Sequence, residues 1–171
     1  MNPLCDIKSI IRVDQAGEYG AKRIYEGQLR VLKNKACASV IEEMYAQELD
    51  HLNAFNELMV KNRVRPTLFQ PLWHVGAYVL GAGTALLGEK AAMACTAAVE
   101  EVIDEHYQEQ IEALGTDNPE LSQMIEKFRE DEIHHRDTAY DHGAELAPAY
   151  PLLSRAIKFT TRVAIEISKR V

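Results

Sequence analysis

No C-x-x-C spacing joins the three cysteines, Cys5, Cys37 and Cys95, and their number is odd. Neither a disulfide framework nor a zinc or rubredoxin-type site is therefore expected, and a reducing compartment fits best. No G-x-G-x-x-G fingerprint occurs, so electrons for any redox chemistry must come from a separate donor. Alternating apolar and polar residues, the mark of half-buried strands, are missing as well. Residues 72–88 form an apolar stretch with only His74 as an ionising group, which is shorter than the ~20 residues a membrane-spanning helix needs. Burial or contact with a membrane surface is the expectation there. Residues 1–8 include Asp6 and no long apolar run, so no signal or transit peptide is read; a leader removed earlier would leave the same start. Basic residues are in deficit, 19 against 26 acidic ones, for a formal charge of −7. Nucleic acid is thus not an expected partner. The deficit is uneven: residues 149–171 hold five basic groups and one acid, Glu166, for +4, leaving −11 on the other 148 residues.

What is present is 171 residues, 47% of them hydrophobic and 26% charged, enough for one domain spanning 1–171 with a buried core. Helical periodicity predicts helices near 6–34, 37–63, 89–114 and 119–146 and a tail helix over 150–171. Residues 64–88 concentrate glycine and proline and read as a crossover. Asn118 before Pro119 reads as a helix start.

The second and fourth helices align at an offset of 84 residues. The alignment pairs Cys37 with Leu121, Ile41 with Ile125, Met44 with Phe128, Glu48 with Glu132, His51 with His135, and Phe55 with Ala139. Steps of four and three make each series the buried seam of a bundle helix. The first and third helices align at an offset of 82, pairing Glu18 with Glu100 and Tyr25 with Tyr107. Two copies of one helical hairpin, joined by a long crossover, make a ferritin-like four-helix bundle.

Glu18, Glu48, His51, Glu100, Glu132 and His135 interrupt these apolar seams at corresponding places. Burying one unpaired carboxylate costs several kcal/mol. Two divalent ions would neutralise four carboxylates and take two neutral imidazoles, and Glu with His at i and i+3 can reach one ion from one helix. Carboxylate with imidazole suits iron, and spacing leaves manganese open. Asp131 with His134 repeats the spacing but is rotated off the seam. Asp131 is expected either in solvent or accepting the free ring N–H of His51 across the bundle. Tyr25 and Tyr107 each follow a candidate ligand by seven residues and face inward. They read as core tyrosines with satisfied hydroxyls, as donors beside the metal ligands, or as redox-active groups. His142 reads as a core histidine or one bordering the ligands, His74 and His106 as surface or interface groups, and Cys95 as a small buried residue. Arg155, Lys158 and Arg162 share one face of the tail helix. The tail and residues 72–88 together suggest membrane-surface contact and a lipid-phase substrate; packing on the bundle or a homo-oligomer interface is the other reading.

With these residues in view, the chain resembles the demethoxyubiquinone hydroxylase family. The matching stretches are RVDQAGEYGAKRIYEGQ around Glu18, QELDHLNAFNELM around Glu48 and His51, AMACTAAVEEVIDEHYQEQI around Glu100, FREDEIHHRD around Glu132 and His135, and DHGAELAPAYPLL beyond. The resemblance implies a di-iron monooxygenase of ubiquinone biosynthesis that hydroxylates the quinone ring of demethoxyubiquinone. Its co-substrate would be dioxygen, with electrons from NADH or a separate reductase. It implies ligand roles for the same six residues and a peripheral place on the inner membrane, on the cytoplasmic face in a bacterium or the matrix face in a mitochondrion. A lipid-binding accessory protein and a pathway complex are possible partners. Gln15 and Arg136 stand where the family often has His; neither is a ligand position. The competing readings are a ferritin- or rubrerythrin-like protein that handles iron or peroxide, and a non-enzymatic lipid-binding bundle.

Overall fold

The computed structural model describes residues 6–170; Cys5 lies outside them. Six α-helices follow in order: α1 (Ile7–Leu32), α2 (Ala38–Asn62), α3 (Gln70–Leu86), α4 (Glu89–Leu114), α5 (Pro119–Asp141) and α6 (Tyr150–Ser168). Among the described residues there is no strand. The hairpins α1–α2 and α4–α5 pack into a four-helix bundle of the ferritin-like kind, with α3 lying along α1 and α6 along α4.

The helix ends follow from local chemistry. The Asn118 side chain accepts from the Leu121 amide at 3.2 Å, and Pro119 takes the first turn, where its missing N–H costs nothing. Arg63 ends α2 in the left-handed conformation, φ 52°, giving its N–H to the last carbonyls. Helix α5 stops at Asp141 rather than 146, because Gly143 turns the chain left-handed at φ 83° into a 3₁₀ turn over Ala144–Leu146. His142 consequently leaves the seam and is exposed, not the inward histidine that extrapolating the periodicity gave.

All twelve residues of the paired seams on α2 and α5 are buried. Their apolar members supply the core, each large side chain contributing about 1.5–3 kcal/mol when fully removed from water. The crossover is itself mostly helical: α3 meets α1 backbone to backbone. A Cβ at Gly27 would lie 2.3 Å from the Tyr78 carbonyl, and one at Gly81 would lie 2.0 Å from the Ile24 carbonyl. No helix among the described residues is long and apolar enough to cross a membrane.

On α6 the basic residues of the tail are divided between α4 and solvent. Lys158 is ion-paired with Glu101, and the exposed Arg162 with Glu105 at 2.8 Å, both on α4, while Arg155 of the same face is exposed. Ile157 and Ile165 bury beside them, and Ser9 of α1 ties down the far end by donating to the Lys169 carbonyl at 2.8 Å. Leu152, Phe159 and Val163 are left exposed on α6, as are Leu72, Val75 and Val79 on α3.

Candidate metal centre

Each of the four bundle helices delivers carboxylate to one level of the core, and α2 and α5 add imidazole. The ligand atoms fall into two groups, each drawn together within 4.8 Å: Glu18, Glu48, His51 and Glu132, and Glu48, Glu100, Glu132 and His135. Glu48 and Glu132 belong to both groups. They lie between two positions that Glu18 with His51 and Glu100 with His135 complete from opposite sides. All six residues are at most 3% exposed.

The chain alone satisfies this cluster poorly. Both oxygens of Glu48 and one of Glu100 are buried without a hydrogen-bond partner. Burial, reinforced by Glu132 and the other carboxylates, pushes the Glu48 carboxyl well above its usual range, and burial with Glu132 does the same to Glu100. Burial alone would lower His51, yet its contacts with Glu132 and Glu18 outweigh this and push it up to about 12. His135 is raised for the same reason by Glu132. Against its own burial, Glu132 is held down at about 2 by those two histidines. Four converging carboxylates, two of them forced toward the protonated form, with orphaned oxygens at the centre, are what a pair of divalent cations would satisfy.

The histidines are aimed by a reciprocal device. His51 Nδ1 faces Glu132 at 3.1 Å, while its Nε2 meets Asp131 at 3.1 Å. His135 Nδ1 faces Glu132 at 3.1 Å and Glu48 at 3.3 Å, while its Nε2 meets Gln47 Oε1 at 2.7 Å. With a metal bound and the ring neutral, an acceptor on Nε2–H would keep the tautomer whose Nδ1 lone pair points at the cluster. Gln47 and Asp131 are 84 residues apart and each precedes a ligand-type Glu. Each of the two helices thus steadies the other's histidine. Sequence reasoning found Asp131 and missed Gln47, although the repeat offset that aligns the helices would have named it.

The tyrosines cross over in the same way. Tyr25 of α1 donates to Glu100 at 2.9 Å, and Tyr107 of α4 donates to Glu18. Both are buried, and burial beside these carboxylates pushes both phenols well above their usual range. Phe128 stacks on His51 with ring centroids 4.1 Å apart. His106, expected at the surface or an interface, is 5% exposed within the chain and sits 3.3 Å from the Asp14 carboxylate, with Gln110 donating to the same oxygen at 2.7 Å. The i to i+4 step from Val102 already placed it on a second buried face of α4. His74 is exposed as expected and meets the Tyr19 hydroxyl at 2.6 Å; Cys95 is buried. Gln15 donates to Asn56 at 3.1 Å, and Arg136 pairs with Asp104 at 2.9 Å, both clear of the cluster.

Beside the cluster, α1, α3, α4 and α6 enclose a cavity of about 380 Å³ with mainly apolar and small-residue walls, within the range of small-molecule sites. Val13, Gly17, Ala21, Ile103 and Ile165 border both this cavity and the small hollow against Glu18, Glu48, Glu100 and Glu132. They form a neck between an apolar groove and the carboxylates.

Residues 5–168 match the family model described as ubiquinone biosynthesis protein COQ7. The chain is 54% identical over 171 residues to the 3-demethoxyubiquinol 3-hydroxylase of Rhodospirillum rubrum, spanning 99% of this chain and 81% of that protein. It is 55% identical over 169 residues to the mitochondrial NADPH-dependent 3-demethoxyubiquinone 3-hydroxylase of Homo sapiens, spanning 96% and 78%. To the mitochondrial 5-demethoxyubiquinone hydroxylase of Saccharomyces cerevisiae it is 44% identical over 179 residues, spanning 95% and 77%.

Proposed function

The chain belongs to the COQ7 family of ubiquinone biosynthesis proteins, and from that membership and its buried cluster we propose that it hydroxylates the ring of a demethoxyubiquinone at a di-iron centre. The observation that carries the reading is the pair of ligand groups sharing Glu48 and Glu132, beside a hollow whose walls continue into an apolar groove. Glu18, Glu48, His51, Glu100, Glu132 and His135 would hold two iron ions, Glu48 and Glu132 from between them. When bound, the metals supply dioxygen activation and the accompanying redox chemistry. The chain supplies the rest. Its groove takes the prenylated quinone from the lipid phase, its neck admits the flat ring to the carboxylates, and its apolar walls keep water away from the reacting carbon. Tyr107 and Tyr25 hold Glu18 and Glu100 by hydrogen bonds, and Asp131 and Gln47 keep the imidazoles aimed.

Reduced nicotinamide nucleotide is the proposed ultimate electron source, directly or through a separate reductase; the human relative's name specifies NADPH. The exposed apolar residues of α3 and α6 would seat the protein on the inner membrane, on the cytoplasmic face of a bacterium or the matrix face of a mitochondrion. Contact with an accessory lipid-binding protein, and assembly of copies of this chain, belong to the same proposal.

Anaerobic reconstitution with ferrous iron and a short-tailed demethoxyubiquinone, followed by reductant and dioxygen, tests the activity. The product should gain one oxygen atom. Loss of the gene should accumulate the demethoxy quinone. Normal quinone with sensitivity to iron or peroxide would instead establish the ferritin- or rubrerythrin-like alternative.

A further inference from the structure

Helices α3 and α6 face each other across the apolar groove without packing together. One hydrogen bond spans the gap: Trp73 Nε1–H donates to Ser168 Oγ at 3.1 Å. Both residues line the groove, and Ser168 is 2% exposed. Trp73 is half-buried and is the chain's only tryptophan. An indole has a single donor. Committing it to Ser168 leaves Trp73 no polar group to offer the groove, and Phe69 supports the ring with centroids 6.2 Å apart. Ser168 lies three residues beyond Ile165 of the neck, about 4.5 Å along the helix.

Two glycines on the same cavity wall have no explanation within the chain. Gly27 and Gly81 are glycine because another backbone occupies the Cβ position, but a Cβ at Gly20 or Gly76 would meet nothing within 4 Å. Both line the groove, one on α1 and one on α3. The room they leave is adjacent to Trp73, three residues away from Gly76 on α3.

We propose that Trp73 is the residue that reads the prenyl tail of the quinone, and that Ser168 is a positioning residue holding the indole against that tail. This rests on the quinone reading above. A ring at the neck sends its tail out between α3 and α6, and Trp73 is the largest rigid apolar side chain on that path. Fixed by its hydrogen bond, it gives the first isoprene units a preformed wall rather than one that must be ordered on binding.

The sole tryptophan provides the test. Emission of the full-length, iron-loaded chain is followed while a ubiquinone analogue with two isoprene units, or its tail-less counterpart, is added in detergent. The prenylated quinone should quench Trp73 saturably and bind more tightly than the tail-less one. Ser168→Ala should weaken the prenylated ligand about three- to ten-fold, the worth of one net hydrogen bond. It should leave the tail-less ligand within about two-fold, and Ser168→Thr should restore the difference. In turnover, Ser168→Ala and Trp73→Phe should raise KM for the prenylated substrate while kcat stays nearly constant. Unchanged emission at ligand concentrations that saturate turnover, or equal weakening of both ligands, overturns the proposal. Binding at Trp73 without hydroxylation would overturn the assigned activity and leave this inference standing.

Discussion

Glu48 and Glu132 carry the central consequence at the residue scale, because two groups of potential ligands close on the same two carboxylates. Removing either should empty both positions: Glu132→Ala is expected to abolish stoichiometric iron, read by metal analysis of purified protein. Gln47 acts at one remove. Gln47→Ala frees His135 Nε2, and loss of such an orienting partner typically weakens metal binding 10–100-fold, which a competition titration with a chelator measures. The protonation pattern sets the pH dependence. Glu48, Glu100, His51 and His135 are all raised, so the metal-free folded chain holds more protons than the unfolded one at neutral pH. Its stability should therefore fall as pH rises from about 5 to 9. Glu132, held down at about 2, acts oppositely, and only in acid. Metal loading removes those protons, so calorimetry in buffers of different ionisation enthalpy should show proton release, and melting of the loaded form should lose this slope.

At the scale of elements, α3 and α6 differ from the four bundle helices in what fixes them. Helix α3 is pinned to α1 by close backbone contact at Gly27 and Gly81. Gly81→Ala must push the helices apart and should cost about 1–3 kcal/mol by overpacking. Gly76→Ala adds its methyl to open groove and should stabilise the helix by roughly 0.5–1 kcal/mol. Thermal melting distinguishes the two. If the groove takes substrate, the stabilised Gly76→Ala protein should also show a higher KM. Helix α6 is held by Ile157 and Ile165, by the Ser9 bond and by ion pairs to Glu101 and Glu105. The exposed Arg162 pair adds little in water, so the apolar contacts decide its seat.

For the molecule as a whole, exposed apolar residues lie on both α3 and α6, and on α6 they border the exposed Arg155. The chain carries −7 overall, and two basic groups that could have offset it toward an anionic bilayer face α4 instead. The proposed membrane contact would then rest chiefly on Leu72, Val75, Val79, Leu152 and Phe159, through the hydrophobic effect, which salt does not screen. Co-sedimentation with liposomes should persist from low to high ionic strength and fall when Val79 and Phe159 are both replaced by Ser. Release by salt alone would restore the basic tail as the principal anchor.

The sequence by itself determined the bundle and the convergence of its ionisable residues. A seam repeated at 84 and 82 residues puts Glu48 with Glu132, and Glu18 with Glu100, on faces that must be buried together, since helical periodicity fixes direction within each element. It also placed the Asn118 cap, because capping is local. Tertiary structure decided what depends on distances between helices. It selected Glu48 and Glu132 as the shared carboxylates, gave Gln47 to His135, crossed Tyr25 and Tyr107 onto opposite glutamates, buried His106 against Asp14, and turned Lys158 and Arg162 toward α4. Periodicity says which way a side chain points along its own helix. What it meets there is set by how the helices cross, and that follows from packing the whole chain at once.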